Sequence, residues 1–461
     1  MAVKRSGRSR KTPAARSSVS TDGARTSSSI DEMLLAALER GDDTFQTGRF
    51  LATFKEGAAE TGIKALRTKR GLRTADARDF KGQSMVMEDV GDADALVFPE
   101  IGVALIGGEA ARSRAMTVAT ETADDSAIES IDPEYFVFVS GAQDAYLQTL
   151  RGSDSGGAAN PGDYLRGFLR AAETIARDLA AVPAPASDAE EEALVVGATW
   201  GLVACKVPPS SRSGNGIKVA VLDTGMDLGH PDFAGRPITQ GSFVGQPVQD
   251  LHSHGTHCIG TSCGPLAPAG TTPRYGVAHR AGIFAGKVLS NSGSSVGGSV
   301  LAGMNWAIAN RCQVISMSLG GPGGPQPYYT AAGQSALNNG LLIVAAAGNE
   351  ASPTGSPANS PTIMSVAALT EALAPATFSN FGKVEIAAPG VNVFSSVPRP
   401  TRYGFKSGTS MATPHVAGCA ALWAESSPSL RGILLWRKLQ ATARRLPFPA
   451  SRVGAGLVQA P

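Results

Sequence analysis

Short apolar runs recur along the chain from about residue 196 to its end, and stretches with helical spacing lie between them. The runs include IKVAVLD, GIFAGKVL, CQVISMSL and GLLIVAAAG, and one of the helical stretches is GGSVLAGMNWAIANR. Continuous apolar strands that alternate with helices are typical of a parallel sheet covered on both faces. The pattern therefore predicts an α/β domain over 196–461, with a doubly wound, mostly parallel sheet and helices on both of its faces.

The chain before this domain has a different pattern. RFLATFKEGAAETGIKALRTKRG begins like a strand and continues like a helix, and ALVFPEIGVALIGG and IESIDPEYFVFVSG predict further strands. We therefore expect a small α+β module over 45–140. The segment 141–195 is rich in Gly, Pro, Ala and acidic residues around YLRGFLRAAETIARDLAA, which predicts a linker that carries one helix.

The first 44 residues predict a disordered basic tail. Between Met1 and Ile30 there are seven Lys or Arg and one acid, Asp22, among Ser, Thr, Gly and Ala. The net charge of the whole chain is only +2, which gives no reason to expect a nucleic-acid partner. No apolar stretch follows the basic start and no run is long enough to span a bilayer, so we expect no membrane contact and a cytoplasmic location. The alternative is an extracellular location reached by an unrecognised route.

The cysteine content agrees with a reducing compartment. The five cysteines are an odd number and show no paired, metal-type spacing. This favours free thiols over a disulfide framework, although one disulfide remains open.

Asp223 ends the apolar run in VAVLDTGMDLGHPDF, and the carboxyl ends of parallel strands are where open α/β sheets place their sites. Aspartic proteases also carry Asp-Thr-Gly after an apolar strand, but they need a second, matching loop because two carboxylates share one proton. The other Asp-Ser/Thr-Gly sequence, at 154–156, follows no apolar strand. We therefore set the aspartic protease interpretation aside.

Three histidines, His252, His254 and His257, lie together in LHSHGTHCIG. HSHGTH is similar to the zinc motif His-x-His-x-Asp-His of metallo-β-lactamase-like hydrolases, but Thr256 replaces the acid. Further ligands would have to come from the downstream histidines, of which two remain. A zinc-dependent metallo-hydrolase stays as an alternative, and the metal ligands are otherwise unknown.

Ser410 in SGTSMATPHVAG precedes a helical stretch of small residues, so its hydroxyl is expected at a helix N-terminus. With VAVLDTGMDLGHPDF, HSHGTHCIG, SMSLGG and VAAAGNE, this segment resembles the subtilisin-like serine proteases in the order and spacing of the motifs. The resemblance implies that Asp223, His254 and Ser410 form a catalytic triad. It also implies that Asn349 supplies the side-chain donor of an oxyanion hole, and that catalysis requires no cofactor.

The resemblance also assigns residues around the triad. It implies that His254 is the base, that His257 faces the interior one helical turn on, and that His252 lies in a loop near the cleft. Cys258 is similar to the cysteine that proteinase K-like members carry after the histidine motif. The expected substrate-binding residues are the strand Ser318, Leu319 and Gly320, the opposite strand Gly293, Ser294 and Ser295, and Glu350 near a first specificity pocket of broad apolar preference.

Asp232 in HPDF matches a calcium ligand of the family, but the loop expected to complete the site, CGPLAPAGTTPRYG, lacks the expected Asn. Structural calcium is therefore left open. The α+β module is similar to the subtilisin propeptide, which implies an inhibitory prodomain and a zymogen cut between about 139 and 198. The predicted function is a monomeric serine endopeptidase acting on proteins or peptides. A catalytically silent, subtilase-like binding protein is a further alternative.

Overall fold

The computed structural model describes residues 30–39, 44–80, 85, 90, 93–113, 126–139, 197–270, 272–321 and 323–461. The helix predicted in the linker and most of the predicted tail lie outside the described residues. No helix of the described part is long and apolar enough to cross a bilayer.

The amino-terminal part is an α+β module, in agreement with the pattern expected there. Its elements are α1 Ile30–Glu39, β1 Gln46–Phe54, α2 Ala59–Thr68, β2 Thr74–Asp76, β3 Ala95–Phe98, β4 Val103–Ile106, α3 Gly108–Ser113 and β5 Ile128–Val139. β1 lies between β4 and β5 and is antiparallel to both. β3 continues the sheet antiparallel to β4, and β2 pairs with β3 in parallel.

Helix α1 lies within the range where we expected a disordered tail. That expectation came from the polar and basic residues before Ile30, whereas IDEMLLAALE carries apolar residues on one helical face. Ile30, Leu34 and Ala37 are buried in a cluster that also contains Phe45 and Phe138. This contact with the module is the physical reason that the segment forms a helix.

The second part begins after residue 196. Its strands are β6 Lys218–Asp223, β7 Ile238–Ser242, β8 Gly282–Lys287, β9 Ser294–Val296, β10 Val314–Met317, β11 Leu319–Gly320, β12 Leu342–Ala346, β13 Met364–Leu369, β14 Ile386–Pro389, β15 Val393–Ser396 and β16 Tyr403–Lys406. Its helices are α4 Trp200–Ala204, α5 His254–Cys263, α6 Gly297–Ala309, α7 Pro327–Asn338, α8 Thr409–Ser426, α9 Gly432–Thr442 and α10 Ala450–Val453.

Seven of these strands form one sheet in the order β14-β13-β12-β10-β6-β8-β7. Every pairing in this sheet is parallel. The two faces contribute to different apolar clusters, with Val219 and Val221 of β6 in one and Ala220 and Leu222 in the other. Side chains alternate across a strand, so both faces are covered, as the continuous apolar runs predict. The predicted doubly wound α/β fold is confirmed.

The central helix α8 packs closely because its side chains are small. Nearly all of its residues are buried, including Ala412, Ala417, Ala420 and Ala421. A Cβ on Gly418 would lie 2.4 Å from the Cβ of Val277, so glycine allows this approach. The helix can therefore run against the sheet and hold its first residues at the carboxyl ends of the strands.

Candidate active site

Asp223 is the last residue of β6 and is almost fully buried. Its Oδ1 accepts a 2.7 Å hydrogen bond from the Thr224 amide and lies 2.7 Å from Nδ1 of His254. Burial raises the pKa of this carboxyl, but the positive charge and hydrogen bond of His254, together with the Thr224 amide, lower it more. Asp223 is therefore an ionised partner for the imidazole.

His254 begins helix α5, directly after Ser253, whose φ of 80° is left-handed. His252 lies beside it in the preceding loop, with 6.1 Å between the ring centroids. His257 is one turn further along α5, and its Nε2 lies 2.9 Å from the carbonyl oxygen of Val393. Both positions agree with those expected for the two neighbouring histidines.

The three imidazoles do not converge on one point, because His257 is directed at Val393 and not at His254. Burial lowers the pKa of His257 to about 3, and burial together with the charge of His254 lowers that of His252 to about 4. Among the described residues, one set of at least three His, Cys, Asp or Glu side chains has its ligand atoms within 4.8 Å of one another, and it consists of Asp223, His254 and Cys258. The histidine set of the zinc alternative is thus not assembled.

Ser410 is the second residue of α8 and is buried. Its hydroxyl donates a 3.3 Å hydrogen bond to the carbonyl oxygen of Ser318. Cys258 joins this residue to the base, since its Sγ lies 3.6 Å from the carbonyl oxygen of Ser410 and 3.9 Å from Nδ1 of His254. The structure thus brings Ser410 to the same cluster as Asp223 and His254, with its hydroxyl turned towards Ser318.

Asn349 lies after β12, facing the start of α8. Its Oδ1 accepts hydrogen bonds from the amide of Thr409 at 2.8 Å and from the Thr409 hydroxyl at 2.9 Å. These two bonds fix the plane of the side-chain amide and leave Nδ2 as its donor end. Thr409 is a supporting residue that sequence reasoning did not single out, although it directly precedes Ser410.

The substrate-binding segments expected from the sequence lie on either side of β5. Phe136, Val137 and Phe138 pair antiparallel with β9, and the amide of Val139 donates to the carbonyl oxygen of Gly293 at 2.8 Å. On its other side, β5 pairs antiparallel with β11, with Val139 opposite Leu319. The last strand of the module therefore occupies the gap between the two segments.

Glu350 follows Asn349, and its carboxylate is turned back to the protein. Oε2 accepts from the amide of Asn349 and from Nδ2 of Asn380, both at 2.8 Å. The contacts hold the loop after β12 and its asparagine in place. The Glu350 carboxylate thus stabilises this loop, whether or not it also contacts a substrate.

The surroundings of Asp232 do not fit a calcium ion. Its carboxylate accepts from the Tyr275 hydroxyl at 2.6 Å, and the Tyr403 hydroxyl lies 3.0 Å from both of its oxygens. Calcium takes about six to eight oxygen ligands, which come from carboxylates, carbonyl groups and waters. Here protonated phenols already occupy the carboxylate, so the position matched to a family calcium ligand carries a different contact.

All five cysteines are free and buried. This agrees with the free thiols expected from the odd number and irregular spacing.

A profile of the subtilase family of peptidases matches residues 214–456. The chain belongs to the subtilase family. Subtilisin NAT of Bacillus subtilis subsp. natto is 39% identical over 259 residues, which cover 54% of this chain and 66% of that protein. Subtilisin of Bacillus pumilus is also 39% identical over 259 residues, which cover 54% of this chain and 92% of that protein.

An alkaline protease of Shouchella clausii is 40% identical over 280 residues, which cover 59% of this chain and 71% of that protein. The crystal structure of a cold-adapted subtilisin-like serine proteinase matches with a TM-score of 0.51 and 32% identity, and covers 57% of this chain and 98% of that one. The family expected from the sequence motifs is confirmed. These relatives also support the expected enzyme class, a subtilisin-like serine endopeptidase.

Proposed function

We propose that this subtilase hydrolyses peptide bonds in proteins or peptides, with Ser410 as nucleophile, His254 as base and Asp223 as the partner of the base. The observation that carries the proposal is the 2.7 Å contact between Asp223 and His254 beside the start of α8. A serine hydroxyl is a weak nucleophile near neutral pH and needs an adjacent base. The contact supplies a base whose ring is already oriented.

The proposed reaction begins when Ser410 turns from the Ser318 carbonyl and gives its proton to Nε2 of His254. The serine oxygen attacks the substrate carbonyl, and His254 then returns the proton to the leaving amine. Asp223 holds the imidazole by Nδ1 and stabilises its cation. The lowered pKa of Asp223 supports this role, because the carboxylate stays charged throughout the neutral range.

The oxyanion that forms would be bound by Nδ2 of Asn349 and by the backbone amide of Ser410. Amides at the start of a helix lack intrahelical acceptors and carry positive partial charge. The anchoring of Asn349 by Thr409 supports the proposal, since a donor that is already oriented costs no reorganisation during the reaction. Loss of one such donor costs on the order of 100–1,000-fold in kcat, a range that comes from subtilisin itself.

Substrate would bind as an extended strand between Gly293–Ser295 and Ser318–Gly320. The pairing of β5 with β9 and β11 supports this, because it demonstrates that the gap accepts an antiparallel strand with main-chain hydrogen bonds on both sides. We further propose that the module is a prodomain that inhibits the enzyme by filling this gap. Cleavage between about 139 and 198 and removal of β5 would release the active enzyme.

The remaining assignments follow the family. We propose that the enzyme needs no cofactor for catalysis and acts as a monomer, with its own prodomain as a partner. The similarity to the bacterial subtilisins favours the extracellular alternative over the cytoplasmic location. Among the described residues, the three histidines of the zinc alternative do not form one ligand set, and the relatives do not point to a zinc hydrolase or to a silent binding protein.

The test is the substitution Ser410→Ala. We expect hydrolysis of a fluorogenic peptide to fall on the order of 10⁶-fold, the magnitude known for subtilisin itself, while the melting temperature stays close to that of the unmodified protein. Ser429→Ala, at an exposed serine of the same domain, is the matched control and should keep full activity.

Phenylmethylsulfonyl fluoride should block the unmodified enzyme by transferring its sulfonyl group to the Ser410 oxygen with loss of HF, and the mass of Ser410 should rise accordingly. A zinc chelator should leave the rate unchanged. Activity that survives in Ser410→Ala, or that the chelator removes, would contradict the proposal.

A further inference from the structure

Asp250 lies in the loop before α5, four residues ahead of His254, and is fully buried. Its carboxylate accepts five hydrogen bonds. Oδ1 takes the hydroxyl of Thr224 and the amides of His252 and Ser253, each at 2.9 Å. Oδ2 takes the amide of Thr256 at 2.9 Å and its hydroxyl at 2.7 Å. A buried carboxylate is stable only with such partners, and here all five are donors.

The donors come from two places that flank the proposed catalytic pair. Thr224 directly follows Asp223 at the end of β6, and the other three donor residues surround His254 at the start of α5. Asp250 is thus hydrogen-bonded at once to the element that carries the acid and to the element that carries the base. The bond to Thr224 joins Asp250 to a residue 26 positions earlier in the chain. None of the five bonds is made to Asp223 or to His254 itself.

The start of α5 packs closely against the turn that follows β6. The amide of Gly255 donates to the Thr224 hydroxyl at 2.8 Å, so Thr224 bridges Asp250 and the helix. A Cβ on Gly255 would lie 2.2 Å from the carbonyl oxygen of Gly225. Because the helix start rests directly on the turn after β6, a change in the network has to move α5 against β6.

A buried cation balances the charge of this region. Nζ of Lys287 donates to the carbonyl oxygen of Thr224 and, at 2.8 Å, to Oδ1 of Asn291. Burial lowers the pKa of Lys287 to about 8, and the charges of Asp250 and Asp223 oppose that effect. Lys287 thus places a positive charge near Asp223 and Asp250, and both oxygens of the Asp250 carboxyl group act as hydrogen-bond acceptors.

We propose that Asp250 is a positioning residue for proton transfer: its carboxylate holds the start of α5 against the end of β6 and so keeps His254 in line with Asp223 and Ser410. The inference rests on the proposed function. We expect Asp250 to affect turnover as well as stability, because its hydrogen bonds determine the position of His254, the proposed base.

The test compares Asp250→Asn with Asp232→Asn. Asparagine keeps one acceptor oxygen, but in either orientation its NH₂ group faces at least one backbone N–H donor, so we expect the start of α5 to shift. A displacement of about 1 Å at a reacting group costs on the order of 100-fold in rate. We expect kcat of Asp250→Asn to fall about 10–100-fold, with KM within about threefold. Asp232→Asn removes the same charge from another tightly bonded carboxylate outside the active site. It should lower the melting temperature and leave kcat unchanged.

A second pair of variants covers the case in which Asp250→Asn does not fold. Thr224→Val removes the hydroxyl that bridges Asp250 to Gly255, and Thr224→Ser retains it. We expect a lower kcat in the first and a near-normal kcat in the second. If Asp250→Asn folds, a double-mutant cycle with Thr224→Val should give a combined kcat loss smaller than the product of the two single losses.

Full kcat in folded Asp250→Asn, or in Thr224→Val where Asp250→Asn does not fold, would overturn the inference. So would kcat falling equally in Asp250→Asn and Asp232→Asn, since that is the result of general destabilisation. These results leave the proposed function intact as long as the unmodified enzyme hydrolyses peptide and is blocked by phenylmethylsulfonyl fluoride. An unmodified chain without that activity would instead refute the proposed function.

Discussion

The carboxylate of Asp232 shows how neighbours decide what a residue can bind. Its position in HPDF matches a calcium ligand of the family, but Tyr275 and Tyr403 donate to it from two separate segments. Burial and the neighbouring Asp232 raise the pKa of both phenols, so the donors stay protonated across the neutral range. These hydrogen bonds brace the loop after β6.

This contact predicts that Asp232 contributes no calcium dependence. We expect the change in melting temperature between buffers with calcium and with EDTA to be the same in the unmodified chain and in Asp232→Asn. Tyr403→Phe should lower the free energy of unfolding by about 1 kcal/mol, the net value of one hydrogen bond, in both buffers. A stabilisation by calcium that disappears in Asp232→Asn would show that the carboxylate does bind the ion.

Residue types and motif spacing predict the chemistry of the site better than its support. Asp223, His254 and Ser410 belong to motifs, so their roles can be proposed from sequence alone. Asp250 carries no such mark, because its five donors come together only when β6 and α5 meet. Likewise, the tyrosines that complete the surroundings of Asp232 lie 43 and 171 positions away from it. Contacts of this range are a property of the fold.

At the scale of elements, β5 links the module to the rest of the molecule. Glu134, near its middle, is fully buried and accepts from Nε of Arg49 at 2.6 Å and from Nη2 at 3.0 Å. The same carboxylate accepts from the amide of Gly298 at 2.7 Å, at the first turn of α6. An anion at a helix N-terminus is favoured by the helix dipole. One side chain thus serves both the module and the docking of β5.

Glu134→Gln should weaken the inhibition proposed for the module. The amide cannot replace the charge opposite Arg49 or at the start of α6, and loss of one partner of a buried ion pair is strongly destabilising, by about 3–5 kcal/mol. We expect freshly purified full-length Glu134→Gln to hydrolyse a fluorogenic peptide faster than the unmodified full-length chain. Glu129→Gln, at an exposed position of the same strand, is the matched control. Equal rates in the three proteins would argue against the role of Glu134.

For the whole molecule, buried histidines predict a loss of stability in acid. Burial lowers the pKa of His415 to about 4 and that of His257 to about 3, from the ordinary 6.5. The unfolded chain takes up these protons near pH 6.5, but the folded chain does so only near pH 3–4. The contribution of these histidines to the free energy of unfolding is therefore fully present above pH 6.5. It decreases as the pH falls from 6.5 towards the folded-state pKa values of about 4 and about 3.

We expect the melting temperature to decrease from pH 7 to pH 4.5 and the decrease to be smaller in His415→Gln. The glutamine does not titrate, so one source of proton uptake by the unfolded chain is removed. Thermal unfolding at several pH values measures both slopes. Identical slopes in the two proteins would contradict this account of His415.

The fold as a whole follows from the hydrophobic pattern. Apolar runs such as IKVAVLD and CQVISMSL, which alternate with helices, predict the parallel sheet, because both faces of these strands are apolar. The helix α1 is a different case, because its apolar residues become informative only when Phe45 and Phe138 are present to pack against them. Short helices of this kind depend on their partner and not on their own propensity.

The backbone on either side of β5 has a consequence for selectivity. Strands β9 and β11 present amide and carbonyl groups across a slot one chain wide, and such groups are common to every peptide. In the proposed function, the β5 segment and a substrate would therefore compete for this slot through the same kind of main-chain hydrogen bonds. Only side-chain contacts, and the hydrogen bond between Glu134 and the start of α6, would distinguish the two. A covalently tethered segment can therefore block the slot without an unusual local sequence.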